Sequence, residues 1–182
     1  MKESAEREAF LVLRAQSGDR VALDALLASA QEPLYRYLLS LVRERHLAED
    51  ALQETFVRVY RKLGWLREPE LFRPWAYRIA TREAFRQLKR ERRWVEQVRD
   101  EETLRELPAP PAREEFAHEL SARLRETVVG LSPASRAVII LYYLHEMSLE
   151  ETAAVLGVPL GTVKSRLAYG LGTLRRQLKK TE

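Results

Sequence analysis

Ser148-Leu149-Glu150-Glu151-Thr152-Ala153-Ala154-Val155-Leu156-Gly157-Val158-Pro159-Leu160-Gly161-Thr162-Val163-Lys164-Ser165-Arg166-Leu167 reads as two helices joined by a tight turn. Ser148 with Glu151 three residues on matches the capping box, in which each side chain satisfies the other's free backbone N–H. The turn Leu156-Gly157-Val158-Pro159 stops the first helix and opens a second. In the first, Leu149, Ala153 and Leu156 are expected to face inward, the small Ala153 allowing close approach. In the second, Val163, Leu167, Leu171, Leu174 and Leu178 recur at spacings of four, four, three and four, one apolar stripe. Thr162, Ser165, Arg166 and Tyr169 then lie on or near the outward face, with Lys164 flanking and Pro159 in the turn. A helix pair that shows polar and basic residues early in its second member suits the major groove of duplex DNA. Arg can pair bidentately with guanine, Lys, Ser and Thr reach phosphates or base edges, and the amino end of the helix offers free N–H groups. A helical hairpin with a merely solvated basic face is the plainer alternative.

Composition bounds what surrounds this motif. With 182 residues, 46% of them hydrophobic, the chain can bury one sizeable core or two small ones. Lys+Arg at 31 exceed Asp+Glu at 27, a formal net charge of +4 that suits nucleic acid only where it is clustered. Cysteine is absent, which excludes disulfides, thiolate metal sites and a Cys nucleophile. The charged start Met1-Lys2-Glu3-Ser4-Ala5-Glu6 leads into no long apolar stretch. The longest apolar run, from Ala137 to Leu144, falls far short of the about 20 residues that span a bilayer. A soluble cytoplasmic chain with no signal peptide and no membrane insertion is the expectation.

Helical periodicity extends along nearly the whole chain, and no segment alternates as a half-buried strand does. The expected fold is all-α, with helices near 5–16, 20–44, 48–63, 71–94, 114–130, 133–145, 148–156 and 160–179. Gly18-Asp19 supplies a stop and an N-cap, Gly64 ends a helix, and Ser132-Pro133 sets a cap before a first-turn proline. Asp100, Glu101, Glu102, Glu106 and Glu114, with Pro108, Pro110 and Pro111, mark an acidic, extended segment. Two helical domains are therefore expected, at 1–95 and 115–182, joined by a flexible linker at 96–114.

A second basic surface emerges when Phe72 to Trp94 is placed on a helix. Arg78, Arg82, Arg86, Lys89 and Arg93 fall within a sector of about 80°, with Trp75 in it and Arg90 beside it. Ala76, Ala80, Ala84 and Leu88 occupy the opposite side and should pack on a core. Glu83 and Glu91 alone interrupt the cations, so lacing of the face by salt bridges is poor. Basic residues beside an aromatic suit single-stranded nucleic acid, whose bases stack on rings; a solvated charged face is the alternative. Upstream, Leu52, Phe56, Val59 and Leu63 read as a buried stripe, with Asp50, Gln53, Glu54, Val57 and Arg61 opposite and Glu54–Arg58 as a possible i,i+4 pair.

Nothing supports an enzyme. His46, His118 and His145 lack partners at metal-ligand spacing, and there is no P-loop, dinucleotide fingerprint or Gly-x-Ser-x-Gly elbow. No cofactor, metal or small-molecule substrate is implied.

The stretch from Ser148 to Leu167, with Leu131-Ser132-Pro133-Ala134-Ser135-Arg136 before it, resembles the −35-reading region 4 of bacterial extracytoplasmic-function (ECF) sigma factors. Phe72-Arg73-Pro74-Trp75-Ala76-Tyr77-Arg78-Ile79-Ala80 resembles the sigma region that melts and reads the −10 element. Ala48 to Tyr60 is similar to the sigma helix that docks on the polymerase clamp. The resemblance covers about 8–95 and 128–178 and departs in two places. Arg82 and Arg86 stand where relatives often have Asn and Asp, and phosphate binding is the role expected of them. Ala168-Tyr169-Gly170-Leu171-Gly172-Thr173 replaces a run of Arg and Ala, each glycine costing about 1 kcal/mol of helix propensity, so the distal helix is expected to grip DNA weakly.

The resemblance implies a promoter-specificity subunit of RNA polymerase. Its −35 site would be Pro159, Thr162, Lys164, Ser165, Arg166 and Tyr169. Its −10 site would be Arg73, Trp75, Tyr77, Arg78, Arg82, Arg86, Lys89, Arg90 and Arg93. Asp50, Gln53, Glu54 and Phe56 would meet core polymerase. Promoter DNA and core RNA polymerase are the implied partners, and an anti-sigma protein is a further one that relatives commonly have. The linker is either a solvated tether or a strap in the transcript channel. A free-standing helix-turn-helix regulator that binds an operator is the alternative function.

Overall fold

The computed structural model describes residues 2–90 and 130–178, and within them every regular element is a helix. The expected linker at 96–114 and the expected helix near 114–130 lie outside these residues, apart from Gly130. The chain divides into two compact units, Met1–Gln87 and Leu88–Glu182.

The amino-terminal unit begins with α1 (Lys2–Gln16) and α2 (Arg20–Val42). Between them Gly18 takes φ +94°, a left-handed conformation that costs glycine little. Asp19 then caps α2 by accepting from Ala22 N–H at 3.0 Å, as the sequence suggested. That bond and the Arg14 guanidinium hold the Asp19 carboxyl below the usual carboxylate range. α2 ends at Arg43, whose φ of 66° is left-handed despite its Cβ. α3 (Arg45–Lys62) runs into a 3-10 turn at Leu63–Trp65, and a second such turn at Pro69–Leu71 leads into α4 (Phe72–Arg90). The Gln16 side-chain amide ties the connection down, donating to the carbonyls of Leu63 and Leu66 at 2.8 Å each.

Leu26, Leu34, Tyr37, Leu38 and Leu41 of α2 fill the core, against Val12 of α1, Ala48, Ala51 and Val59 of α3, and Phe72, Ala80 and Ala84 of α4. Within it Thr81 Oγ1 donates to the Tyr77 carbonyl at 2.7 Å, which spends its proton. The Tyr37 hydroxyl, 2.7 Å from Thr81 Oγ1, is therefore the donor in that pair.

The inward face of α3 differs from the expected one. Ala48, Ala51, Thr55 and Val59 are buried, while Leu52 and Phe56 are half-buried. Small residues win because α3 lies close to its neighbours, and Thr55 can join them because its hydroxyl donates to Ala51 O at 2.6 Å.

In the carboxy-terminal unit α5 (Pro133–Ile139) is capped by Ser132, which accepts from Ser135 N–H at 3.2 Å, and continues as a π-helical turn at Ile140–Leu144. α6 (Leu149–Leu156) and α7 (Leu160–Leu178) follow. The capping box is present in full: Ser148 N–H donates to Glu151 at 2.7 Å, and Glu151 N–H donates to Ser148 Oγ at 3.0 Å. Gly157 makes the turn at φ +68°. Val163, Leu167, Leu171 and Leu174 are buried in one cluster with Leu131, Val138, Ile139 and Tyr143, and Leu178's side chain lies outside the described set. In α6 the fully buried positions are Thr152 and Val155, whereas Leu149, Ala153 and Leu156 are half-buried against the cluster. Gly170 is also buried: a Cβ there would meet Ile139 Cγ1 at 3.2 Å and Cδ1 at 3.1 Å. A methyl group at this position would press on Ile139 of α5, a consideration that propensity alone did not supply.

Candidate nucleic-acid interface

α4 separates its two faces cleanly. Ala76, Ala80, Ala84 and Leu88 are buried, and Arg78, Arg82, Arg86, Lys89 and Arg90 are exposed. Among the described residues no carboxylate comes within salt-bridge distance of Arg78, Arg82, Lys89 or Arg90. Four cations on one helical face, none paired with a carboxylate among the described residues, suit a phosphate backbone. Trp75 is half-buried, its ring 6.2 Å from that of Phe72 and tilted by 45°. Arg93 lies outside the described residues.

Two residues of α4 are placed otherwise than expected. Tyr77 is 2% exposed, its ring 5.1 Å from that of Tyr37, so it belongs to the core rather than to the DNA-facing surface. Burial pushes its hydroxyl up to about 12, against the opposing influence of the Arg73 guanidinium that bonds to it. Arg73 is exposed and also lies near Glu8, whose carboxyl is raised by burial despite the attraction of that guanidinium. Glu83, expected on the basic face, is 3% exposed. Its carboxylate meets Arg58 Nε at 2.5 Å and Arg86 Nη1 at 2.6 Å. Arg58 therefore pairs with Glu83 across the helices and not with Glu54.

On α3 Asp50, Gln53 and Glu54 are exposed on one side, with Val57, Tyr60 and Arg61 continuing the same face, and Phe56 is half-buried. Trp65, which no sequence pattern singles out, is 78% exposed in the segment that Gln16 pins. The signal available was Gly64 beside an aromatic between two helices, which marks a turn but not its exposure.

In the carboxy-terminal unit the helix-turn-helix shows Pro159 and Lys164 exposed, with Thr162, Ser165, Arg166 and Tyr169 half-buried. Lys164, expected to flank the surface, is exposed on it. Ser165 Oγ donates back to Thr162 O at 3.0 Å, which holds that hydroxyl close to the helix. Partly sunk side chains have few rotamers left, a condition that favours geometric readout of base edges over loose attraction.

Among the described residues no group of His, Asp or Glu is arranged to hold a metal ion, and no helix is long and apolar enough to cross a membrane.

Comparison with known proteins coincides with these two helical units. Residues 26–94 match the family described as Sigma-70 region 2, and residues 128–176 match Sigma-70, region 4. ECF RNA polymerase sigma factor SigE of Mycolicibacterium smegmatis is 34% identical over 169 residues, which cover 90% of this chain and 65% of that relative. The chain thus spans slightly under two thirds of that relative's length. ECF RNA polymerase sigma factor SigW of Bacillus subtilis is 30% identical, with 92% of this chain and 95% of the relative covered. The solved structure of CnrH in complex with the cytosolic domain of CnrY superposes with a TM-score of 0.68 at 26% identity, over 97% of this chain and 99% of that one. By motif, fold and similarity along most of its residues the chain belongs to the ECF RNA polymerase sigma factors.

Proposed function

We propose that this sigma factor divides its work among three surfaces. The exposed face of α3, with Asp50, Gln53, Glu54 and the edge of Phe56, attaches it to core RNA polymerase. The start of α7, from Pro159 through Thr162, Lys164, Ser165 and Arg166 to Tyr169, reads the −35 duplex. The outer face of α4, with Arg73, Trp75, Arg78, Arg82, Arg86, Lys89 and Arg90, captures the opened −10 strand. Residues 1–95 and 115–182 act as the two working domains with 96–114 as their tether. Catalysis belongs to the polymerase, and the chain contributes specificity alone. Sequestration by an anti-sigma protein is compatible with this scheme.

The observation that carries the reading is the division of α4 into a buried alanine ridge and an exposed row of cations. The alanines let the helix seat closely on its core, so the arginines project from a rigid element and can track a backbone without moving it. Arg82 and Arg86 are assigned to phosphates rather than to bases. Run-off transcription with purified core polymerase tests the scheme: adding the chain should convert inert core into a promoter-dependent initiating enzyme. Tight operator binding by the chain alone, with no stimulation of core, would replace this reading with that of a free-standing regulator.

A further inference from the structure

Glu83 is a carboxylate beneath a surface otherwise built of cations. Its side chain is 4% exposed and sits between two guanidinium groups, with Arg58 Nε of α3 at 2.5 Å and Arg86 Nη1 of α4 at 2.6 Å. The two partners are more open, at 35% and 44% of their side chains. An ionised carboxylate so deeply placed requires opposite charge, and here one oxygen faces each guanidinium. Arg58 holds Glu83 by charge from the neighbouring helix, without hydrogen-bond geometry at its Nε, and Glu83 in turn binds Arg86 through a hydrogen bond.

A guanidinium has five N–H donors in a rigid fork. The contact to Glu83 engages Nη1 of Arg86, whose side chain is 44% exposed and so keeps donors for a second acceptor. We propose that Glu83 is a positioning residue, holding the Arg86 guanidinium so that its outer edge meets a backbone phosphate of the captured strand. The ordering entropy of a long side chain is then met on folding and not on binding. This rests on the reading of α4 as the strand-capturing surface.

Simple charge counting predicts the opposite sign. Removing a negative charge from beside a nucleic-acid surface should tighten binding. Positioning predicts that the same change weakens it, because a freed Arg86 samples many rotamers.

The test uses the full chain assembled on core polymerase and a labelled single-stranded DNA of mixed sequence, with affinity read by fluorescence anisotropy against core alone. Arg86→Gln should weaken binding about threefold to tenfold, the range for one charge-assisted contact at a part-exposed site. Glu83→Gln, which keeps shape and loses charge, should weaken it to a similar degree. The double variant should be no weaker than Arg86→Gln alone, since Glu83 acts through Arg86. Unchanged or tighter binding by Glu83→Gln, or an additive loss in the double variant, overturns the proposal while leaving the strand-capture reading intact. No effect of Arg86→Gln removes Arg86 from the strand-capture surface and the proposal with it. Should Glu83→Gln fail to fold, Arg86→Lys decides: it keeps the charge but not the fork, so binding should fall, and full retention overturns the proposal.

Discussion

Gly170 and Gly172 lie two residues apart in α7, and replacing each with alanine separates propensity from packing. Both changes gain about 1 kcal/mol of helix propensity in a helix interior. At Gly172 the new methyl meets nothing within 4 Å, so the whole gain should appear. At Gly170 it would approach Ile139 Cδ1 to 3.1 Å and Cγ1 to 3.2 Å, inside ordinary van der Waals contact, with Leu131 Cδ1 at 3.8 Å behind. Ile139 is itself fully buried and cannot move outward freely. Overpacking of such a site costs about 1–3 kcal/mol, so Gly170→Ala should be neutral to destabilising by about 2 kcal/mol. The difference between the variants is the packing cost alone. Amide hydrogen exchange along α7, read by mass spectrometry on the full chain, measures it locally. Exchange should slow roughly fivefold in Gly172→Ala and stay equal or quicken in Gly170→Ala. Equal slowing in both would show that Ile139 gives way easily, and that close approach is not why residue 170 is a glycine.

Further expectations follow from single groups. Thr152 is fully buried and its hydroxyl finds no hydrogen-bond partner among the described residues, so Thr152→Val should stabilise the carboxy-terminal unit by about 1 kcal/mol in the same exchange measurement. Destabilisation would mean that the hydroxyl is satisfied. Folding raises the Tyr77 hydroxyl to about 12 and raises that of Tyr37 too, in both cases chiefly by burial. The stability tied to their protonated forms is whole below about pH 10, where an unfolded tyrosine titrates, and is lost as pH rises through the folded values. Tyrosinate absorbance and helical circular dichroism should therefore change together above about pH 10, and tyrosines that all titrate near pH 10 with helicity intact would contradict this. Arg82→Glu should reduce promoter opening at least tenfold at moderate salt, by about the effect of one lost and one repelled phosphate contact. Unchanged opening, monitored by permanganate footprinting, would remove Arg82 from the DNA surface.

The parts of the fold that were legible in sequence are those that local chemistry decides. The Ser148–Glu151 box, the Asp19 and Ser132 caps and the Gly157 turn each satisfy free helix ends with residues a few positions away. The α7 stripe was legible because four large aliphatic residues can only point one way. Reading failed where tertiary contact decides. In α3 the pattern points to Leu52 and Phe56 as inward and in α6 to Leu149, Ala153 and Leu156, yet Ala48, Ala51, Thr55 and Thr152 are buried more deeply. Close helix packing selects volume before hydrophobicity. Tyr77 and Glu83 failed for a related reason, since Tyr37, Arg58 and the other partners that make their burial tolerable are distant in sequence.

The two DNA surfaces proposed here also differ in how their side chains are held, and that difference suits different tasks. On α4 the cations stand out from the helix; among the described residues Arg86 is tethered to Glu83 and Arg73 to Tyr77, while Arg78, Arg82, Lys89 and Arg90 have no carboxylate within salt-bridge distance. Long, exposed side chains follow a flexible single strand well and carry little sequence information, because phosphates are alike along it. At the start of α7 Thr162, Ser165, Arg166 and Tyr169 are half-buried beside an exposed Lys164, and Ser165 is held by its bond to Thr162. Fixed groups lose adaptability but can discriminate the base edges of a rigid duplex, where the spacing of donors and acceptors is set in advance. The contrast argues for assigning duplex readout to α7 and strand capture to α4. Exchanging the assignments would ask sunk side chains to chase a mobile strand and mobile ones to read fixed positions.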